Sequence, residues 1–242
     1  MKIHYVWTLC VLAITSCTME ETQPGASQDH PQGSVAKLAG YPENPANAYD
    51  DSGKLYFEIC DAYLNGSQNI ASIGDAIAKT ETLAAANQGF LGIKPVNYSP
   101  LSSSRMLYLV SDTPNRFSET LSQSALGWRA QVSLANFVSS LHYYSTSKEE
   151  YATMHSFIVA YESSVNADPL FSQNERGIML TVASLARYGY YFAKKEKEKE
   201  PKRRDRDWDM SVPNFSAAVD GANTSTAASV TAATAAALYL NR

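Results

Sequence analysis

Large apolar residues recur every three or four positions through most of this chain, and that spacing, rather than the two-residue alternation of strands, directs it toward helices. Leu55, Ile59 and Tyr63, with Cys60 and Leu64 beside them, form the first stripe. Ile70, Ile73 and Ile77 form the next. Phe117, Leu121, Ala125, Trp128, Val132 and Ala135 fall on one face of a long segment. Tyr151, Met154, Ile158, Tyr161 and Val165 make another stripe, and Ile178, Val182, Leu185, Tyr188 and Phe192 the last large one. Two helix starts are marked by the S-x-x-E capping-box form, at Ser147 to Glu150 and at Ser172 to Glu175. Met106 to Val110 is the one short run with a strand-like pattern, and residues 88–116, with Pro95, Pro100 and Pro114, read as a long connection.

The chain ends differently. From Gly221 to Leu240 there is no charge, and small residues recur every four positions at Gly221, Ser225, Ser229, Ala233 and Ala237. That register lets helix backbones approach closely. The run is polar for a bilayer span, so a close-packed helix or helical hairpin is expected in its place. Between it and the last large stripe, residues 194–206 carry eight cations, offset by Glu196, Glu198, Glu200 and Asp205. Pro201 ends the helix there, and the run reads as a solvated helix end followed by a linker.

The first 16 residues have one cation, Lys2, followed by an apolar segment from Tyr5 to Ile14. This is the order of a secretory signal, and the segment is short for a membrane anchor. It closes on Ile14-Thr15-Ser16-Cys17, which resembles the bacterial lipobox: a branched apolar residue, two small residues, then cysteine. By that resemblance the leader is cut between Ser16 and Cys17, the Cys17 thiolate takes a diacylglycerol, and the new amine takes an acyl chain such as palmitate. Several chains at about 0.8 kcal/mol per buried CH₂ anchor durably where one is marginal. Residues 17–48 are then a lipidated, flexible tether rich in Pro, Gly, Ser, Gln and Asn. Met19-Glu20-Glu21 resembles the acidic export tag of surface lipoproteins in the Bacteroidetes group.

The expected fold is therefore all-α. A signal peptide over 1–16 and the tether over 17–48 precede a helical bundle domain over 49–200, a charged linker over 201–215 and a helical tail over 216–242. A hydrophobic share of 45% in 242 residues supports a sizeable core. The formal net charge is −4, or −5 once Lys2 is removed, which gives no basis for binding nucleic acid.

Familiar site chemistry is sparse. H-E-x-x-H, G-x-S-x-G and the P-loop are absent from the sequence. Ser34 to Lys37 and Ser145 to Lys148 match S-x-x-K, without the accompanying S-D-N or K-T-G. Asp205, Asp207 and Asp209 imitate the opening of a calcium loop, but the glycine and glutamate it needs are Met210 and Ser216. His142 and His155 lack the carboxylate pattern of a metal centre. Cys60, the sole thiol besides Cys17 after the leader, sits on an apolar face and reads as inert. Tyr143-Tyr144 and Tyr188-Gly189-Tyr190-Tyr191 offer rings for stacking on sugars, and core packing accounts for them as well. No catalytic residue, metal or cofactor is assigned.

One stretch, "NPANAYDDSGKLYFEICDAYL" over residues 44–64, resembles the opening of a group of uncharacterised Bacteroidetes proteins, many of them lipoproteins, with the pattern N-P-x-x-Y-D-x-x-G-x-x-H-N-x-x-L-D. Asn44, Pro45, Tyr49, Asp50, Gly53 and Asp61 match it. Tyr56-Phe57 replace the His-Asn pair, and Cys60 replaces the leucine. "ASLARYGYYF" over 183–192 and the small-residue stretch over 220–237 are similar to later blocks of the same group. The resemblance implies an envelope lipoprotein and no particular activity.

The functional expectation is a lipoprotein held to the outer membrane through acylated Cys17, surface-exposed, with the periplasmic face as the alternative. Its role is binding or interaction, with a protein or glycan as the unidentified partner. Two alternatives stand beside it. One is an enzyme with an unfamiliar site between helices, for which Asp61, His142 and His155 are the first residues to test. The other is a membrane-active or oligomerising protein acting through its tail.

Overall fold

The computed structural model describes residues 42–66, 69–111, 115–199 and 208–242. Ten helices and no strands occur among them. The expected signal peptide, Cys17, residues 17–41 of the tether, the Ser34 to Lys37 pair, Asp205, Asp207 and most of the charged run beyond Lys199 lie outside the described residues.

Helix α8 (Gln173–Lys199) is the long axis of the fold, about 40 Å at 1.5 Å per residue. The expected stripe Ile178, Val182, Leu185, Tyr188 and Phe192 is buried. So are the residues between its members, including Met179, Leu180, Ala183 and Ala186. A helix apolar all round is a helix surrounded by others. Its neighbours are α1 (Asp50–Leu64), α7 (Tyr151–Ala167), α9 (Val212–Ala222), α10 (Thr226–Leu240) and α6 (Trp128–Thr146). Asp50 and Gly53 lie beside Ser184 and Arg187, while Asp61 lies beside Lys199, so α1 runs parallel to α8.

A second central helix is α10, buried continuously from Ala227 to Leu238. It folds back on α9 as an antiparallel hairpin, and α1 and α2 (Ile73–Ala85) pack on it as well. The small-residue register makes this contact. A side chain on Gly221 would overlap the backbone of Ala228 and Ser229. Ser229 Oγ donates to the Ala218 carbonyl at 2.7 Å. The hairpin starts at Val212, inside the stretch expected as linker, because Ser211 and Asn214 form a capping pair with Pro213 in the first turn. Among the described residues no helix is long and apolar enough to cross a membrane.

Four local readings need correction. Residues 88–116 are not one connection: they contain α3 (Gln88–Ile93) and α4 (Ser103–Val110), started by the side chains of Asn87 and Ser102. Met106 to Val110 is therefore helical, and burial of Met106, Leu109 and Val110 follows the i, i+3, i+4 spacing. The stretch from Phe117 to Ala135 is not one helix either. It divides into α5 (Arg116–Ser122) and α6. Ser124 Oγ donates to the Leu121 carbonyl at 2.6 Å, and Gly127 is the N-cap of α6, its amide donating to Glu175 at 2.9 Å. The break shifts the helical phase. Ala130, Leu134, Phe137, Val138 and Leu141 face inward, and Trp128 and Val132 face out, 78% and 40% exposed.

Of the two capping boxes, Ser172 to Glu175 forms: the Ser172 amide donates to Glu175 at 2.7 Å and the Glu175 amide donates to Ser172 Oγ at 3.3 Å. The Ser172 amide first, then the Ser172 hydroxyl and the Gly127 amide, donate to the Glu175 carboxyl and hold it below its usual range. The Ser147 box does not form. Ser147 ends α6 instead, and α7 begins after Glu150 without a side-chain cap. Lys148 takes φ 57°, with its amide bonded to the Ser145 carbonyl and the Glu149 amide to the Tyr144 carbonyl. That pair of bonds is a Schellman closure, a position glycine usually fills.

Candidate functional site

The densest polar feature of the interior lies where residues 42–49 meet α7 and α8. Asn44 and Asn47 set its geometry. Asn44 Oδ1 accepts the Ala46 amide at 3.2 Å and Asn47 Oδ1 accepts the Tyr49 amide at 2.8 Å. These turns fold the segment before α1 and leave both side-chain NH₂ groups pointing inward. Asn44 Nδ2 donates to Glu162 Oε2 at 2.6 Å. Asn47 Nδ2 donates to Glu162 Oε1 at 2.7 Å and to the Leu180 carbonyl at 3.0 Å.

Arg187 closes the network from α8. It donates to Glu162 Oε1 through Nη2 at 3.1 Å, and also to Asp50 Oδ1 and the Pro42 carbonyl. Tyr188 donates its hydroxyl to the second Asp50 oxygen at 3.2 Å. Arg187 and Glu162 are both 0% exposed. Burial on its own lowers the guanidinium pKa, but the Glu162 and Asp50 carboxylates outweigh it and leave the value raised. The cation is therefore locked in its charged form. A hydroxyl relay adds the last stitch: the Gly53 amide donates to Ser184 Oγ at 3.0 Å, and Ser184 Oγ donates to the Asp50 carbonyl at 2.9 Å. At Gly53 a side chain would collide with the Ser184 carbonyl and the Tyr188 ring, so only glycine allows α1 this close to α8.

A depression of about 340 Å³ sits over this network, lined by Glu43, Pro45, Asn47, Asp50, Asp51 and Lys54. The donors and acceptors beneath it are matched to one another. The arrangement fastens the N-terminal segment to two helices; it presents no nucleophile paired with a base.

A larger cleft, about 490 Å³, opens beside the α6–α7 turn and is lined by residues including Ser145, Lys148, Tyr151, Tyr190, Lys194 and Asp209. The S-x-x-K pair falls here without acting as a pair. Ser145 Oγ donates to Asp209 at 3.1 Å, and Lys148 occupies the left-handed turn position. Lys197 pairs with Asp209 at 3.0 Å and Lys194 with Glu198 at 3.7 Å.

The other candidate residues are dispersed. Asp61 pairs with Lys199 at 3.6 Å and accepts from Asn65. His142 is exposed on α6. His155 packs by Tyr151, and burial first and Arg187 second hold its imidazole below the ordinary range. None of the contacts described joins these three, and among the described residues no group of His, Cys, Asp and Glu is arranged to hold a metal. Cys60 is a buried free thiol whose pKa is raised by desolvation. Tyr188 and Tyr190 are buried, and Tyr144 packs on Phe157, which leaves Tyr143 as the exposed ring of those sets.

Sequence reasoning did not single out Glu162 or Arg187. A signal was present for one of them: Arg187 is the lone charge between Ile178 and Phe192. A charge inside a fully apolar helix has to be paired. The stretches 44–64 and 183–192, noted separately for their resemblance, meet at this point through Asp50, Gly53, Ser184, Arg187 and Tyr188. Tyr56 and Phe57, standing where the His-Asn pair would be, turn instead to the core, with Phe57 against Tyr191 and Phe192. Compared with protein families, with curated proteins and with solved structures, the chain matches none.

Proposed function

We propose that this chain is a bacterial lipoprotein, anchored to the outer membrane through acylated Cys17 and facing the cell surface, whose helical domain has a binding or interaction role at the envelope. The observation that carries the reading is Ile14-Thr15-Ser16-Cys17 placed directly behind a charged-then-apolar leader. The buried network supports it. A lipid anchor transmits force to its domain through the segment that enters it, and here Pro42, Asn44, Asn47 and Asp50 are bonded to Glu162 and Arg187 of two different helices. A domain held at its N-terminus gains from such a fastening, because the pull is distributed over the core and does not fray α1.

The test is metabolic labelling with an alkyne-bearing fatty acid in a bacterial host, using the full chain with its own leader. The expected result is a labelled, membrane-associated mature protein, and loss of label in Cys17→Ala together with retention of the leader. An unlabelled mature protein, or label that persists in Cys17→Ala, would sink the reading. Protease treatment of intact cells then decides between the surface and the periplasmic face.

A further inference from the structure

We infer that the domain docks onto the lipid bilayer carrying its anchor through an apolar patch of Trp128, Val132 and Leu170, an inference that rests on the anchored reading above. Trp128 is 78% exposed, Leu170 66% and Val132 40%. Trp128 and Val132 are one turn apart on the outward face of α6. Asp168 brings Leu170 to them. One of its oxygens accepts from Arg129 Nη2 at 2.9 Å and the other accepts the Leu170 amide at 2.9 Å. The Arg129 guanidinium also lies 5.9 Å from the Phe171 ring centre. The patch is thus held on ordered backbone from the start of α6 and the α7–α8 turn.

Three observations favour lipid as the occupant. First, an indole flanked by aliphatic side chains suits the boundary between headgroups and acyl chains. Second, Arg129 and Asp168 beside the patch neutralise each other at 2.9 Å, which suits uncharged headgroups and leaves apolar insertion as the driving force. Three side chains also fall far short of the roughly 800 Å² per partner of a stable protein interface. Third, the chain leads there. Asn166 Nδ2 donates to the Ala46 carbonyl at 3.0 Å, two residues before Asp168, and the described chain begins four residues earlier at Pro42. From Cys17 to Pro42 the chain spans at most about 90 Å however it is arranged. A site held that near its target works at an effective concentration on the order of millimolar, so a weak insertion suffices.

The mature chain contains two tryptophans, exposed Trp128 and buried Trp208, which makes fluorescence a direct readout. The acylated full chain is purified, its mass is measured, and it is placed in phosphatidylcholine vesicles with or without bromine on the acyl chains. Brominated lipid is expected to quench the emission about two-fold. Trp128→Phe removes that quenching while Trp208 still emits, and Leu170→Asp cuts it by more than half with the helical circular dichroism retained. If the mass shows lipid on Cys17 and brominated lipid leaves the emission unchanged, docking is overturned and the anchor stands. If the mass shows no lipid, the anchored reading fails and this inference with it. If Trp128 is shielded from acrylamide in a dimer without vesicles, the occupant is a second copy and the lipid assignment is wrong.

Discussion

Two junctions in this molecule are made by opposite chemistry. In the α9–α10 hairpin the contact is dry and made of very little: Gly221 lies directly against the backbone of Ala228, and Ser229 reaches the Ala218 carbonyl. Where residues 42–49 meet α7 and α8, the contact is a buried cation, two carboxylates and two amides. Close packing gains dispersion from atoms within a few ångströms and tolerates no added volume. The ionic junction gains direction, because each bond fixes one partner in one place, at the cost of stripping water from Arg187 and Glu162. The first kind suits an element that must fill the interior. The second suits a segment that arrives from outside it and has few large side chains to bury.

The widest gap between the two shows when one partner of the ion pair is removed. Glu162→Ala leaves Arg187 with Asp50 and the Pro42 carbonyl, removes the Glu162 acceptor of the Asn44 side-chain amide, and leaves that of Asn47 with the Leu180 carbonyl alone. A loss of about 3–5 kcal/mol in urea unfolding is expected. Limited proteolysis should then cut within residues 42–49, which the wild type protects. The double variant Glu162→Leu, Arg187→Met should recover at least half of that loss, since apolar groups of similar volume replace a buried pair at little cost. A double variant as unstable as the single would mean that the network is worth more than its desolvation. The hairpin breaks differently. Gly221→Ala raises helix propensity by about 1 kcal/mol. Its new methyl overlaps the Ala228 backbone, and overpacking costs about 1–3 kcal/mol or more. The net is a loss of up to about 2 kcal/mol, or more where the backbone cannot shift. Gly92→Ala is the control: nothing lies within 4 Å of its added methyl, so propensity acts alone and stability rises by up to about 1 kcal/mol.

The same contrast explains what was legible in the sequence. The hairpin was visible as a four-residue repeat of small residues, because its signal lies within about 20 consecutive positions. The stripes of α1, α7 and α8 and the box at Ser172 were visible for the same reason. The ionic junction joins residues 118 and 145 positions apart. Local patterning exposes Arg187 as an isolated charge but cannot name its partner. Glu162 was masked by its own stripe, lying one turn beyond Ile158 and directly beside Tyr161. The errors near Ser124 and Ser147 have another cause. Apolar spacing carries straight across a helix break when the breaking residues are a serine bonding backward and a glycine capping forward, so Trp128 and Val132 were placed inside when the phase shift turns them out. At Ser147 the chain used the serine to end one helix, and a lysine in the left-handed position gave no warning that it would.

Smaller perturbations refine the comparison. Ser229→Ala keeps the hairpin's shape and removes one buried bond, leaving the Ala218 carbonyl with its helical partner. A loss of about 1 kcal/mol is expected, and one far larger would mean that the hairpin, too, depends on polar fastening. The gentlest probe is acid, which reaches the ionic junction and not the hairpin contact. His155 is half-buried, and burial and then the Arg187 charge hold its imidazole below 6.5. In the unfolded chain it protonates near 6.5. Between its folded value and 6.5 the unfolded state binds more protons, so stability rises with pH across that window and is lost as the pH falls through it. Unfolding midpoints compared at about pH 7.5 and about pH 5.5 should therefore drop on acidification, and His155→Gln should flatten the part of the slope that this group contributes. Gly221→Ala should lower both midpoints by the same amount and leave the slope as it was, since no titrating group lies between Gly221, Ala228 and Ser229. A slope that changes with the hairpin variant, or survives intact in His155→Gln, would place the acid sensitivity elsewhere in the fold.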